Sequence, residues 1–496
     1  MLRKIRRLLA IIVLLALTLL FLDVSGLIHA WLGWIAKIQF LPALLALNIG
    51  VLIGLLVLTL LLGRIYCSVI CPLGLFQDMV SHIRGWFWKK KKGRFSYSLK
   101  GRPLRIILFL LTLVCWFTGL QLVVSLLDPY SAYGRMVTHL LQPLYILANN
   151  ALATLADHYD SYAFYSVDVW LKSLPTLIVA VLTFLIVGIL AWRGGRTYCN
   201  TVFPVGTLLS IFARHSLLRI RFDADKCKNC GLCASHCKCS CIDVKTHTVN
   251  YSRCIVCGNC LTHCRFDALH YTTPPAKHTD SSSDTPTDEG RRAFLATTGS
   301  LIALTALAQD QKKVDGGLAL IEDKQIPPRQ TPLLPPGSIS ANNMSKHCTA
   351  CQLCISQCPN QVLRPSTDLQ HFMQPQMNYD RGFCRPECTT CSSVCPTGAI
   401  RPITIEEKSS LQIGHAVWIQ DNCLCVSERI DCGNCERHCP TGAIEMVPLD
   451  WNDDSSPFVP SVDESRCIGC GKCEYVCPAR PFSAIYVEGH PMHRSL

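Results

Sequence analysis

Cysteines recur along this chain in closely spaced runs, and this spacing constrains the fold more than any other feature of the sequence. The first two runs share the pattern Cys-x2-Cys-x2-Cys-x3-Cys and comprise Cys227, Cys230, Cys233, Cys237, Cys254, Cys257, Cys260 and Cys264. Three thiolates on one tight loop can bind three iron corners of a cubane, and the last cysteine of a partner run takes the fourth. We therefore predict that Cys264 completes the first [4Fe–4S] cluster and Cys237 the second.

Four further runs follow later in the sequence, and each ends in a Cys-Pro pair. They are Cys348, Cys351, Cys354 and Cys358; Cys384, Cys388, Cys391 and Cys395; Cys423, Cys432, Cys435 and Cys439; and Cys467, Cys470, Cys473 and Cys477. The longer gaps in the second and third of these only enlarge the loop outside the cubane. Each run supplies four ligands, which is the number that one cluster needs. The six runs therefore predict six [4Fe–4S] clusters.

Some neighbouring cysteines leave alternatives open. Cys425 competes with Cys423 as first ligand of its run, and Cys423 is preferred because Asn422-Cys423 stands where the other runs open. Cys239 and Cys241 are interpreted as bystanders, with substitution as a ligand as the alternative. Zinc also takes four thiolates at such spacing, but six complete runs with four Cys-Pro endings favour iron–sulfur clusters.

The composition predicts a membrane part. The chain has 496 residues, of which 49% are hydrophobic and 17% charged, and the stretches 8–22, 41–62, 106–127 and 174–192 carry no charge. Roughly 20 apolar residues cross the hydrocarbon core as a helix. We predict an α-helical membrane domain of about four transmembrane helices over residues 1–221, with the weaker stretch 136–156 lying on the membrane surface. Residues 222–272 and 341–496 are predicted to form two bacterial ferredoxin-like α+β modules, with two and four clusters.

Charge asymmetry predicts the orientation of these helices in a bacterial inner membrane. The loop 63–105 is rich in Lys and Arg, whereas the loop 128–173 carries only Arg135 and Lys172 against four aspartates. The positive-inside rule places the first loop, and with it residues 222–272, in the cytoplasm. The net charge of +12 is concentrated beside apolar segments, so we expect no nucleic-acid partner.

An internal repeat lies within the predicted membrane domain. The sequence from Gly63 to Gly74, GRIYCSVICPLG, recurs from Gly195 to Gly206 as GRTYCNTVFPVG, with Phe203 where the first copy has Cys71. The thiols of Cys67, Cys71 and Cys199 could ligate a metal with one outside donor, form a redox pair, or be inert.

The two modules are joined by a segment with an export-like signal. Residues 273–290 are predicted to be a flexible linker, and 309–340 a Pro-rich one. Between them, Arg291-Arg292 followed by an uncharged stretch to residue 308 resembles a Tat signal, the export route of folded cofactor proteins. This predicts a periplasmic four-cluster module; an ordinary helix is the alternative. Cleavage after the signal and its retention as a fifth span are both open.

The motifs together resemble a known pair of proteins. Residues 1–272 resemble the NapH-type membrane ferredoxin subunit, with four helices and Cys-x3-Cys-Pro motifs, and residues 291–496 resemble its Tat-exported four-cluster partner of the NapG/MauM type. The resemblance implies a natural fusion that works as a quinol dehydrogenase component, passing electrons from membrane quinol to a periplasmic reductase or cytochrome. An accessory, assembly or regulatory role is the alternative. No residue pattern identifies a quinone site; His29, His82 and His139 are merely titratable groups near the interfaces.

Overall fold

The computed structural model describes residues 2–23, 26–87, 95–97, 102–160, 166–223, 225–273, 323–453 and 456–495. The predicted linker from 274 to 290, the twin-arginine segment 291–308 and residues 309–322 of the second linker lie outside the described residues. Lys89–Lys92, which belong to the basic loop 63–105 that predicts the orientation of the helices in the membrane, also lie outside the described residues.

The first part of the chain is helical. Its helices are α1 (Leu2–Leu22), α2 (Leu27–Leu32), α3 (Trp34–Lys37), α4 (Phe40–Leu45), α5 (Ile49–Leu62), α6 (Pro72–Phe87), α7 (Arg102–Phe117), α8 (Gln121–Leu127), α9 (Pro129–Met136), α10 (Gln142–His158), α11 (Leu174–Gly194), α12 (Thr197–Thr201) and α13 (Pro204–Ala213). Single π-helical turns over Tyr66–Ile70 and Val137–Leu141 precede α6 and α10.

Among the described residues, two helices, α1 and α11, are long and apolar enough to cross a membrane. Each has 21 residues, and at about 1.5 Å per residue this length matches a hydrocarbon core of about 30 Å. Helices α5, α7 and α13 are apolar but shorter. Two of the four predicted spans are therefore continuous helices, and the four-span arrangement stays a prediction.

The other two predicted spans are each divided into two helices. The stretch 41–62 breaks at Leu47, which has φ 52°, and α5 then begins with the Asn48 side chain accepting a hydrogen bond from the backbone N–H of Val51. The stretch 106–127 breaks at Gly119, whose φ of 78° is one that glycine adopts readily. Neither break contains a charge, which is why the apolar pattern alone predicts continuous spans.

The module of residues 222–272 consists of two short antiparallel strand pairs and two one-turn helices. Strand β1 (Arg219–Phe222) pairs with β4 (Leu269–Thr272), and β2 (Ile242–Asp243) pairs with β3 (Thr248–Val249). Helices α14 (Leu232–Ser235) and α15 (Asn259–His263) each contain the third cysteine of a run. This is the arrangement of a small two-cluster ferredoxin.

The module of residues 341–496 repeats this plan with larger sheets. Its helices are α16 (Ala341–His347), α17 (Leu353–Ser356), α18 (Thr390–Val394), α19 (Ile405–Ser409), α20 (Leu424–Ser427), α21 (Asn434–Arg437) and α22 (Lys472–Val476). Its antiparallel pairs are β5 (Leu363–Pro365) with β6 (Pro375–Met377), β7 (Leu411–Trp418) with β10 (Ile485–Ser495), and β8 (Ile444–Pro448) with β9 (Phe458–Val462).

The two modules contact opposite ends of α1, and the two-cluster module also contacts the C-terminal end of α11. At the start of α1, Arg3 donates to the Thr262 hydroxyl over 2.7 Å, and near its end the carbonyl of Leu20 accepts from Gln357 Nε2 over 2.7 Å. Helix α11 runs the other way, because Arg196, just beyond its end, donates its backbone N–H to the Lys238 carbonyl over 2.9 Å. The helical part therefore lies between the modules.

Candidate functional site

Cysteines of the first two runs line two cavities in the small module. One cavity is lined by Cys227, Cys230, Cys233 and Cys264. The other is lined by Cys254, Cys257, Cys260 and Cys237. In each, three cysteines of one run meet the last cysteine of the other, which is the crossed arrangement that a pair of cubanes requires.

Two surplus thiols lie at the second of these cavities. Cys239 and Cys241 are buried and belong to its wall. The Cys241 Sγ lies 3.4 Å from the Sγ of Cys237. The wall thus contains three thiols, those of Cys237, Cys239 and Cys241, for the fourth iron corner of the cluster.

The four later runs also pair crosswise. One cavity is lined by Cys384, Cys388, Cys391 and Cys358. Conversely, Cys395 lies within electrostatic range of Cys348, Cys351 and Cys354. The first two of these runs therefore form one two-cluster unit.

The last two runs form a second unit of the same kind. One cavity is lined by Cys423, Cys425, Cys432, Cys435 and Cys477, and Cys439 lies within electrostatic range of Cys467 and Cys470. The backbone favours Cys423 over Cys425 as first ligand. Cys423 has φ −79° and ψ 122°, nearly the values of Cys348 (φ −81°, ψ 122°) at the start of its run, whereas Cys425 lies inside α20.

A left-handed residue precedes most of the short helices that hold the third cysteine of a run. Gly231, Gly258, Gly433 and Gly471 have φ between 59° and 75°. Glycine adopts this conformation without steric cost, so it turns the loop tightly enough for the cysteines on both sides to face one site. Gln352 takes the same conformation without being a glycine, with φ 65°, and the exception is Thr389, with φ −115°, before the helix that holds Cys391.

Three of the cysteines that end a run, and that face the cluster site of the partner run, each accept a hydrogen bond from a backbone N–H group. The N–H groups of Ala268, Ala443 and Ala484 donate to the sulfurs of Cys264, Cys439 and Cys477 over 3.2–3.3 Å. Such donors stabilise negative charge on a thiolate and tune cluster potentials. The alanine that follows each of these cysteines by a few residues therefore supplies a polar contact to the cluster site.

A buried lysine contacts one of the cluster sites, and sequence spacing gave no sign of it. Lys408 Nζ donates to Cys384 Sγ over 3.2 Å and to the carbonyls of Arg385 and Cys388 over 2.5 Å. Its side chain is buried. The only signal in the sequence is a lysine in a short helix 20 residues after the cysteine loop that it contacts.

Burial makes the free thiols hard to ionise. It raises the pKa of Cys351, Cys435 and Cys470 to about 12. Since thiolates are the ligands, cluster binding must displace these protons. Among the described residues, no group of three His, Cys, Asp or Glu side chains could hold a single ion. Thiolates stand about 2.3 Å from one zinc ion, whereas the ligands of a cubane bind separate irons, so the residues fit clusters better than zinc.

The three thiols of the internal repeat converge between the modules. Cys71 and Cys199 each lie within electrostatic range of Cys67, and all three are buried. Gln77 Nε2 donates to Cys199 Sγ over 3.0 Å. Cys67 and Cys71 pack with the core of the two-cluster module, whereas Cys199 packs with that of the four-cluster module. Ligation of a metal with one outside donor, a redox pair and an inert group all stay predictions for these thiols.

The arginines of the repeat are buried around these thiols. Arg64 donates to the Ser252 carbonyl over 2.9 Å and to Asn200 Oδ1 over 3.1 Å. Arg196 binds both carboxylate oxygens of Asp78 over 2.9–3.0 Å. Although burial alone would raise the pKa of Asp78, Arg196, Lys238 and Arg6 hold it well below its usual range.

Comparisons with known families identify iron–sulfur domains in the chain. A model described as a 4Fe-4S binding domain matches residues 44–92 and again 174–223, so both copies of the repeat match the same family. Models described as 4Fe-4S dicluster domains match residues 428–480 and 250–362. The chain therefore contains ferredoxin-type 4Fe-4S domains.

Three relatives cover parts of the chain. It is 26% identical to an uncharacterized protein of Methanocaldococcus jannaschii over 44% of this chain and 68% of that protein. It is 26% identical to YccM of Escherichia coli, which carries the name of an electron transport protein, over 40% of this chain and 47% of that one. It is 30% identical to the methylamine utilization ferredoxin-type protein MauM of Methylobacillus flagellatus, over 31% and 66%. No solved structure matches the chain.

Proposed function

From the premise of an iron–sulfur electron-transfer protein, we propose that the chain is embedded in a membrane and carries electrons from membrane quinol to a reductase or cytochrome beyond the four-cluster module. The observation that carries the proposal is the placement of the modules. Each of the two helices long enough to cross a membrane contacts the two-cluster module at one end, and α1 reaches the four-cluster module at the other. A bilayer around these helices would separate the modules.

The outer surface of the helices supports this placement. Leu8, Ile11 and Leu15 on α1 are more than half exposed, as are Ile178 and Ile189 on α11. Soluble proteins rarely expose apolar patches of this extent, and larger ones mark partners or membranes. Lipid is the occupant that suits these exposed aliphatic side chains.

The clusters, when bound, would supply one-electron chemistry. The chain's own residues hold and tune them: crossed cysteine runs supply the thiolates, backbone N–H groups bind the sulfurs, and Lys408 places a positive charge beside one site. The fusion of a NapH-type with a NapG/MauM-type protein belongs to the same proposal, supported by the partial likeness to MauM.

Reduction of the clusters by quinol tests the proposal. Purified protein in nanodiscs is mixed anaerobically with a menaquinol analogue, and cluster reduction is followed by loss of visible absorbance and by electron paramagnetic resonance. We expect reduction of part of the clusters. No reduction at any ratio of quinol to quinone would overturn the proposal.

A topology experiment tests the opposite-face arrangement. Single cysteine-free epitopes placed after residue 272 and at the C-terminus are probed with protease in spheroplasts. We expect only the C-terminal epitope to be accessible. Accessibility of both, or of neither, contradicts the arrangement.

A gene deletion distinguishes electron transfer from the assembly role. Deletion should leave the partner reductase intact but without electrons, whereas loss of the reductase itself would favour the assembly role.

A further inference from the structure

A cavity lies where the helical part meets the four-cluster module. Its volume is about 190 Å³, and its wall includes Thr138, His139, Ile146, Trp170, Ile355 and Cys358. The wall thus comes from the turn before α10, from α10 itself, from the segment Val167–Lys172, and from α17 with the Cys-Pro ending that follows it. An apolar cavity of about 150 Å³ accommodates benzene, so this one has room for a substituted ring.

The segment Val167–Lys172 is fastened over the cavity at three points. Its beginning is held by Asn150, whose side chain exchanges two hydrogen bonds of 2.7 and 2.9 Å with the backbone of Val167. At its middle, the guanidinium of Arg364 stacks on the Trp170 ring at 4.5 Å from the ring centroid. At its end, Lys172 Nζ donates to Gln142 Oε1 over 2.7 Å. The first and third contacts hold the segment to α10, and the contact of Arg364 with Trp170 joins it to the four-cluster module.

The wall combines apolar side chains with polar ones: besides Thr138 and His139, it includes Gln142, Asp168, Lys172, Ser356 and Gln361. His139 Nε2 lies 2.7 Å from Gln352 Oε1, which leaves Nδ1 as an acceptor if the amide oxygen accepts. Burial, and then the charge of Lys172, lowers the pKa of His139 to about 4, so the ring is neutral. The Thr138 hydroxyl is buried and has no hydrogen-bond partner among the described residues. Sites for small organic molecules typically combine apolar side chains with a few polar groups that fix the orientation of the ligand.

The cavity borders both a cluster ligand and an apolar outer surface. Cys358, the crossing cysteine for the site of Cys384, is part of its wall. Leu144 and Leu147, on either side of Ile146 in α10, are exposed by more than half. A ligand here would have its ring beside an electron acceptor and a place for a long apolar tail.

We infer that this cavity binds the head group of a membrane quinol, with His139 and Thr138 as hydrogen-bonding partners of the ring oxygens and the exposed leucines of α10 against the isoprenoid tail. The inference rests on the proposed function and deepens it by naming where quinol binds. A lipid acyl chain could fill an apolar cavity but would use neither polar group.

A binding experiment tests the site without relying on turnover. Holoprotein in nanodiscs is titrated with 2-heptyl-4-hydroxyquinoline N-oxide, a fluorescent quinol analogue, and fluorescence quenching reports binding. Ile146→Trp fills the cavity from its half-exposed side, and we expect affinity to fall about tenfold or more. Leu152→Trp, on the exposed face of α10 outside the wall, is the matched control and should change affinity by less than about twofold.

Thr138→Val removes only the hydroxyl and is the second variant. We expect a loss of about threefold to tenfold, the worth of one hydrogen bond. Iron content and visible spectra check that each variant is folded. If the wild type binds the analogue and neither Ile146→Trp nor Thr138→Val weakens binding, the site is elsewhere and only this inference falls. If the wild type neither binds the analogue nor is reduced by quinol, the proposed function falls with it.

Discussion

The guanidinium of Arg64 lies 2.8 Å from the point where a Cβ atom would stand at Gly206. Arg196 has the same relation to Gly74, again at 2.8 Å. Each arginine opens one copy of the internal repeat and packs on the glycine that closes the other. The two copies of the repeat therefore contact each other twice, through the same arginine and glycine positions in each direction.

This exchange predicts the effect of adding one methyl group. Gly206→Ala would place a Cβ against Arg64 and the Cys199 carbonyl, so we expect a loss of about 1–3 kcal/mol of stability from overpacking. Thermal unfolding in detergent measures it. Gly188→Ala is the control, because nothing lies within 4 Å of a Cβ there and alanine favours a helix by about 1 kcal/mol. Equal midpoints for the two variants would contradict the contact.

Three cationic side chains form salt bridges with the Asp78 carboxylate. Besides Arg196, Arg6 and Lys238 approach its carboxylate to 3.2 and 3.3 Å. Asp78→Asn would leave these buried charges uncompensated, and we expect a loss of about 3 kcal/mol or more. Thermal unfolding measures it, with Asp223→Asn as the control. Because Asp223 is partly exposed and its ion pair is with the exposed Lys226, no measurable change is expected there.

The same carboxylate predicts a pH dependence. The pKa of Asp78 is depressed in the folded state, so its contribution is present in full above the unfolded value of about 3.9 and is lost as pH falls below it. The difference in unfolding midpoint between wild type and Asp78→Asn should be constant from about pH 5 to 8 and shrink below about pH 4. A difference that grows on acidification would exclude this origin.

The choice between Cys423 and Cys425 is testable by iron content. Cys423→Ser should remove or convert one cluster, with a loss of up to about four irons per chain. Cys425→Ser should retain the full complement, because Cys425 lies within the helix and does not share the backbone of the other opening ligands. Iron and sulfide analysis of both variants decides between them, and the reverse result would assign Cys425 as the ligand.

Lys408 should raise the potential of the cluster that it contacts. A positive charge a few ångströms from a cluster favours the reduced, more negative form, and Lys408→Met should lower that midpoint potential by on the order of 100 mV at an effective dielectric constant near 20. Redox titration followed by electron paramagnetic resonance measures the shift. Lys408→Arg, which keeps the charge, should shift it much less. Equal shifts in both variants would point to packing instead of charge.

The structure brings together the cysteines that spacing predicts to share a site, because their geometry is local. Three ligands lie within a few residues on one loop, and only the crossing cysteine comes from farther away. The sequence predicts continuous helices where the chain breaks at Leu47 and Gly119, since these breaks follow from backbone conformation and not from polarity. The cavity beside His139 was not predictable. Its polar partner Gln352 is 213 residues away, and no periodic pattern connects the two.

The docking of α1 at both ends has a consequence for how the molecule is made. Its partners, Thr262 and Gln357, come 259 and 337 residues after the helix residues that they bind. Contacts of such separation pay the largest loop-closure entropy and form late. Helix α1, which is synthesised before both of its partners, is therefore among the last elements to be secured, because it can dock only once the cysteine-rich regions at both of its ends have been completed.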